Sequence, residues 1–209
     1  MILYILYVLI SPILWIVLIL STLFNKKISN RLFAYKKQFL RIKKEILNTD
    51  KRVLLFHAAS NGELEQLKPI LRKINRSKYF ILLTVSSPSA IKHIPRRLIN
   101  NYCYQAFDFP WSTYIFFRTI KPYKYVITRH DIWPNHIIIS KKICKGIYLI
   151  NANLPEKSKR NLSVLITLYK FLFSKFNGIY TVSKKMKDQI ENNLGIKHSI
   201  QIHEDTRYQ

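Results

Sequence analysis

VLLFHAASNGELEQLKPIL, residues 53–71, changes character partway through. It begins as a short apolar run of the kind that forms a buried strand. It then turns polar and opens a helix, expected over 63–75. Ser60 stands three residues before Glu63, the spacing of a helix capping box. A glutamate also lies beside a glycine where the strand gives way to the helix. Glu63 therefore has two readings, a helix cap and a general base.

The same alternation continues along the chain. Apolar, β-rich runs fall at 53–58, 79–85, 102–107, 124–128, 146–150, 178–182 and 199–202. Helical stretches lie between most of them, at 63–75, 112–120, 133–142, 160–175 and 184–193. This pattern predicts an α/β fold, a Rossmann-like parallel sheet with helices on both faces. There is no internal repeat and no low-complexity tract. Neither G-x-G-x-x-G nor G-x-x-x-x-G-K-[ST] occurs, so the dinucleotide and P-loop fingerprints are absent. Ligands of open parallel sheets bind beyond the carboxyl ends of the strands. Five polar segments follow the first five apolar runs: HAASNGE at 57–63, TVSSPSA at 84–90, FDFP at 107–110, TRHDIWPN at 128–135 and NANLPEKS at 151–158.

The chain has 209 residues, enough for one good core and short for two. Its net charge of +24 points to an anionic partner, although abundant Ile, Lys, Asn and Tyr also fit an AT-rich coding bias. Cys103 and Cys144 lie in no metal-ligand spacing and read as reduced thiols of a cytosolic domain. Residues 1–24 carry no charged side chain, and a helix needs about 20 apolar residues to cross a bilayer. No basic residue precedes this run and no A-x-A-like cleavage site follows it, which favours a transmembrane anchor over a signal peptide. Lys26, Lys27 and Arg31 come directly after it and keep the following domain in the cytoplasm. Residues 25–50 are basic and amphipathic, a helix lying on anionic headgroups or a solvated linker.

The five polar segments, in this order, resemble the N-terminal half of the Kdo transferases. These are membrane-anchored glycosyltransferases that add 3-deoxy-D-manno-octulosonic acid (Kdo) to lipid A precursors. HAASNGE resembles the family's HAVSxGE, and TVSSPSA its T-x-T-x-T-G, with serines for threonines and Ala90 for glycine. DFP resembles P-x-D-x-P, DIWPN resembles E-[LI]-W-P-N, and INANLPEKS resembles V-N-A-R-L-S-x-R-S. The closing HEDTRYQ is similar to an interdomain G-N-x-K-[FY]-D or G-D-T-R-[FY]-D. The resemblance implies a GT-B enzyme with an inverting mechanism, CMP-Kdo as donor, lipid IVA as acceptor and no metal. It divides the chain into an anchor helix (1–24), a juxtamembrane segment (25–50), an acceptor domain (52–203) and the start of an interdomain linker (204–209). A C-terminal donor domain would follow, and a separately encoded donor half is an implied partner. The implied location is the inner membrane, among anionic lipids. A truncated, non-catalytic membrane-bound remnant or binding subunit of that enzyme is the alternative. A nucleic-acid binder would explain the charge but neither the anchor nor the five loops, and no RNA- or DNA-binding motif is present.

By resemblance Glu63 is the base that takes the acceptor's hydroxyl proton. The helix dipole lowers its basicity, and burial in a cleft raises it. Ser60 and Gly62 would shape the loop, Gly62 by letting backbone approach substrate. Asp131 aligns with the family's glutamate and is one methylene shorter; its other reading is a cap for the helix opened by Trp133 and Pro134. Ser86, Ser87 and Ser89 either hold phosphate or sugar oxygens or cap a helix. Asn151, Asn153, Lys157 and Ser158 form a further polar loop, in which Asn153 replaces an arginine. Lys157 replaces a second arginine without its bidentate fork. Arg129 flanks Asp131 as a substrate contact or a packed side chain. Asp108 reads as a turn residue and His57 as a satisfied core histidine. His130, Asp131 and His136 match no standard metal-ligand spacing.

Overall fold

The structure, a computed structural model, describes residues 2–129, 131–153, 162–196 and 200–206. In chain order the elements are α1 (Ile2–Phe24), α2 (Lys26–Leu47), β1 (Arg52–Ala58), α3 (Asn61–Arg72), β2 (Tyr79–Val85), α4 (Pro88–Ile91), β3 (Asn101–Tyr104) and α5 (Pro110–Ile120). They continue as β4 (Lys124–Thr128), α6 (Pro134–Ile143), β5 (Gly146–Ala152), α7 (Leu162–Phe173), β6 (Gly178–Thr181), α8 (Lys184–Leu194) and β7 (Ile200–Ile202). The strands form one sheet in the order β3-β2-β1-β4-β5-β6-β7. Every pairing is parallel.

The strands are mostly apolar because helices cover both faces of the sheet. Along β1, Val53 and Leu55 join one core cluster while Leu54 and Phe56 join the other. Leu64, Leu67 and Leu71 of α3 pack on the second face with Ala90 of α4. Side chains from α2, α5, α6, α7 and α8 fill the first, among them Ile42, Phe117, Ile137, Phe173 and Ile190. The chain builds outward from β1 to β3, returns to lay β4 against the other side of β1, and then builds the opposite way. That reversal opens a crevice at the carboxyl ends of β1 and β4, where such sheets bind ligands.

Several boundaries differ from the sequence expectation. β3 ends at Tyr104 rather than 107, although the Gln105 amide still donates to Val85 O at 2.9 Å. β5 runs on to Ala152 through a register irregularity between Leu149 and Ala152. The short helix α4, given no bounds in the sequence reading, is the one that Ser87 caps.

The amphipathic segment 25–50 uses its apolar stripe on the domain. Ile42 is fully buried, with Tyr35, Phe39 and Ile46 packed around it. α2 also covers the sheet edge: Gln38 Oε1 accepts the Tyr104 amide at 2.9 Å, and Asn101 bridges Arg41 (2.6 Å) and Glu45 (2.7 Å). A covered edge strand cannot recruit another strand. α1 is long and apolar enough to cross a membrane. It touches the domain through Tyr4, Tyr7 and Trp15, which meet Asn135, Asp108 and the rings of Phe109 and Trp111.

Candidate active site

β1 and β2 run in a register that sets His57 opposite Thr84, and the fully buried His57 places Nδ1 3.0 Å from Thr84 Oγ1. β4 lies on the other side of β1 and delivers Asp131 three residues past its end. His57 Nε2 and Asp131 Oδ2 are 2.6 Å apart. Thr84 Oγ1 is also 3.2 Å from Phe56 O. If the hydroxyl donates to Phe56 O, Nδ1 donates to Thr84 and the imidazole is doubly protonated. If the hydroxyl donates to Nδ1, the ring is neutral. In both arrangements Nε2 carries the proton that faces Asp131.

Asp131 accepts two further hydrogen bonds, from Ser86 Oγ at 3.2 Å and Trp133 Nε1 at 2.9 Å. Burial pushes its carboxyl up, but the bonds from His57, Ser86 and Trp133 and the charge of His57 outweigh it, and the group sits below the ordinary carboxylate range. A carboxylate with three donors and lowered proton affinity is suited to holding an arrangement rather than to taking a proton.

Asp131 does not cap α6. Trp133 occupies the cap position without a side-chain bond. Asp108 does the work from the neighbouring loop: Oδ2 accepts the Asn135 amide at 3.1 Å and Oδ1 the His136 amide at 2.9 Å. Tyr7 donates to the same carboxylate at 3.0 Å. Asp108, read from the sequence as a turn residue, is thus the cap of a helix 26 positions later. His136 is buried with its ring nitrogens 3.3 Å from Gln105 Nε2 and 3.0 Å from Ala106 O.

Glu63 is 3 % exposed at the start of α3. Its Oε2 accepts the Ala59 amide at 2.6 Å, and the Ser60 hydroxyl makes no cap hydrogen bond. The expected capping box is therefore not formed: the carboxylate reaches one residue further back, past the cap position. It remains at the positive end of the helix. A Cβ on Gly62 would meet nothing within 4 Å, so the backbone there borders open space. The Ser87 amide donates to Ala59 O at 3.2 Å and ties the second polar loop to the first. Ser87 and Ser89 pair with each other at 2.7 Å, and Ser87 caps α4.

Arg129 (φ 64°) and Asn151 (φ 50°) both adopt left-handed backbone at the ends of adjacent strands. For Arg129 this conformation costs about 1–2 kcal/mol, whereas asparagine adopts it readily; Lys121 (φ 45°), after α5, shares it away from this rim. The Arg129 amide is fixed by Ile150 O at 2.8 Å. Asn151 Nδ2 donates to Thr206 Oγ1 at 3.0 Å, which in turn donates to Gln66 O at 2.6 Å. The HEDT segment thereby joins β5 to α3. Asn153 follows β5, half-buried; Lys157 and Ser158, with His130, lie outside the described residues.

Sequence reasoning missed Thr84, Gln105, Thr206 and Arg31 as parts of this rim. Aligning the ends of the first two strands would have found Thr84. Arg31 of α2 had no signal, being one basic residue among many. Its guanidinium lies 4.3 Å over the Phe107 ring and is attracted to Asp131, although burial lowers its pKa. Among the described residues, Arg31 Nε, Asn61 Oδ1, Gln66 Oε1 and Thr128 Oγ1 are buried without a hydrogen-bond partner. Three of the four sit on α3 or at the end of β4, where a bound ligand or water would satisfy them.

A doubly wound parallel sheet with a polar rim at its switch point defines a Rossmann-like domain. The chain belongs to the 3-deoxy-D-manno-octulosonic-acid transferase (kdotransferase) family, whose model for the N-terminal part matches residues 26–209. It is 31% identical over 137 residues to a protein of Arabidopsis thaliana assigned as a mitochondrial 3-deoxy-D-manno-octulosonic acid transferase, an alignment covering 63% of this chain and 31% of that one. It is 33% identical over 127 residues to the 3-deoxy-D-manno-octulosonic acid transferase of Aquifex aeolicus, covering 59% of this chain and 36% of the relative. The chain thus aligns with about a third of the length of these curated relatives. A Listeria monocytogenes structure assigned as a UDP-N-acetylglucosamine 2-epimerase matches with a TM-score of 0.50 at 8% identity, over 73% of this chain and 45% of that one, a likeness of fold alone.

Proposed function

We propose that this chain provides the acceptor side of an inverting GT-B enzyme that transfers Kdo from CMP-Kdo to lipid IVA in lipopolysaccharide biosynthesis. The acceptor hydroxyl oxygen attacks the anomeric carbon of Kdo as the bond from that carbon to the CMP phosphate oxygen breaks. CMP leaves with the electron pair, and Glu63 takes the hydroxyl proton. The observation that carries this reading is the buried Glu63 carboxylate, held by the Ala59 amide beside the open backbone of Gly62. His57 and Asp131 fix the neighbouring wall, and Arg31, attracted to Asp131, adds positive charge suited to an anionic acceptor. The chain works at the inner membrane with its domain in the cytoplasm. No step uses a metal, and the donor-side domain supplies the contacts to CMP.

The test is Glu63→Gln, assayed with CMP-Kdo and lipid IVA in the presence of a donor-side domain. Glutamine retains an oxygen that can accept the Ala59 amide, so the thermal midpoint stays close to that of the parent. Removing a positioned base lowers the rate by about 10²–10⁴-fold. Near-normal transfer would return Glu63 to a structural role and overturn this reading.

A further inference from the structure

α1 has two properties that a simple tether does not need. Its domain-facing residues, Tyr4, Tyr7, Ser11 and Trp15, recur at spacings of three and four, one stripe along the helix. Ser11 in the middle of the stripe is 1 % exposed. The stripe is anchored at specific atoms: Tyr4 Oη donates to Asn135 Oδ1 at 2.9 Å, and Tyr7 Oη to Asp108 Oδ2 at 3.0 Å. Trp15 meets Phe109 edge-on at 5.1 Å between centroids. These contacts begin near the amino end of the helix. A helix crossing a hydrocarbon core of about 30 Å, with its carboxyl end leading into the domain, would place Tyr4 on the far side, out of reach of Asn135.

The opposite face of α1 is apolar and bare: Leu9 is 66 % exposed, Ile13 63 %, and Leu23 74 %. α2 carries a second exposed apolar line. Phe33, Leu40 and Leu47 lie seven residues apart on its outer side and are 73 %, 50 % and 74 % exposed. Lys36, Lys37, Lys43 and Lys44 flank that line, beside the buried stripe centred on Ile42. Apolar side chains bordered by lysine fit one leaflet of an anionic bilayer.

We infer that α1 lies in one leaflet with its stripe docked on the domain, and that the outer faces of α1 and α2 together form a monotopic lipid-binding surface. The amino terminus then stays on the same side of the membrane as the sheet. The docked helix brings Asp108 and the start of α6 to the lipid boundary.

Cys103 and Cys144 are buried and do not interfere with single-cysteine labelling. Ile2→Cys and Asn193→Cys, both at exposed positions, are made separately in the full chain. Each is treated with a membrane-impermeant maleimide in sealed spheroplasts and in sealed inverted membrane vesicles. The expected result is labelling of both from the same side. Labelling of Ile2→Cys only from the side opposite Asn193→Cys shows a spanning helix and overturns the inference.

Discussion

At Gly62 the structure separates packing from function. A methyl group there meets nothing within 4 Å, and alanine is the better helix former by about 0.8–1 kcal/mol in a helix interior. Gly62→Ala is therefore expected to leave the thermal midpoint unchanged or slightly raised. If acceptor lies against this backbone, as proposed, the same methyl occupies the approach and transfer falls, most visibly as a raised KM for the lipid. Full activity at low acceptor concentration would show that nothing packs there. Legibility at this scale was uneven. The Ser60-to-Glu63 spacing announced a carboxylate folding back onto an amide, but the amide is that of Ala59. Spacing alone cannot show how sharply the chain bends before a helix. The His57–Asp131 contact was out of reach, because it spans 74 residues and exists only because β4 lies beside β1. His57 read alone is an ordinary strand-end histidine.

Among the elements, α6 is capped by a residue far outside itself, Asp108. Burial pushes the Asp108 carboxyl up from an ordinary 3.8 to about 7, although hydrogen bonds from Asn135, His136 and Tyr7 oppose the shift. Burial pushes His136 down from 6.5 to about 3, chiefly by desolvation. Between pH 3.8 and 6.5 the folded chain holds a proton on Asp108 that the unfolded chain lacks. That contribution to stability is full below 3.8 and fades as pH rises through about 7. Over the same range the unfolded chain holds a proton on its histidine that folded His136 lacks. That contribution is present above 6.5 and is lost as pH falls towards about 3. The two slopes oppose and largely cancel. Asp108→Asn removes one of them. Relative to the parent, the variant should gain stability with rising pH by about 1.4 kcal/mol per unit per proton, read from urea midpoints at pH 4.5, 5.5 and 6.5. Parallel profiles would mean that Asp108 is already ionised in the fold. The longer elements were legible because their apolar content is dictated by burial. The bounds of α4 were not, since four residues carry no period, and the docking of α2 was not, since its lysines suited lipid or water equally well.

Over the whole molecule, strand–helix alternation announced a parallel sheet of seven strands, and the polar loops announced which rim to inspect. Strand order was not legible. Nothing in the chain says that β4 returns to the side of β1, because that choice is made by helices competing to cover two faces of one sheet. The crevice, and with it the partnership of the first and fourth loops, follows from the return. The two thiols have a practical consequence of their own. Cys103 and Cys144 sit in one core cluster, and burial raises both above the ordinary thiol range, Cys144 to about 12. The thiolate is the form that reacts, so alkylation must wait for the sheet to come apart. The native chain is therefore a clock for its own unfolding. Under dilute iodoacetamide both cysteines should modify together, at a rate that follows global opening and rises steeply with urea. Modification of Cys144 well ahead of Cys103 would reveal a separate, local opening at the end of α6.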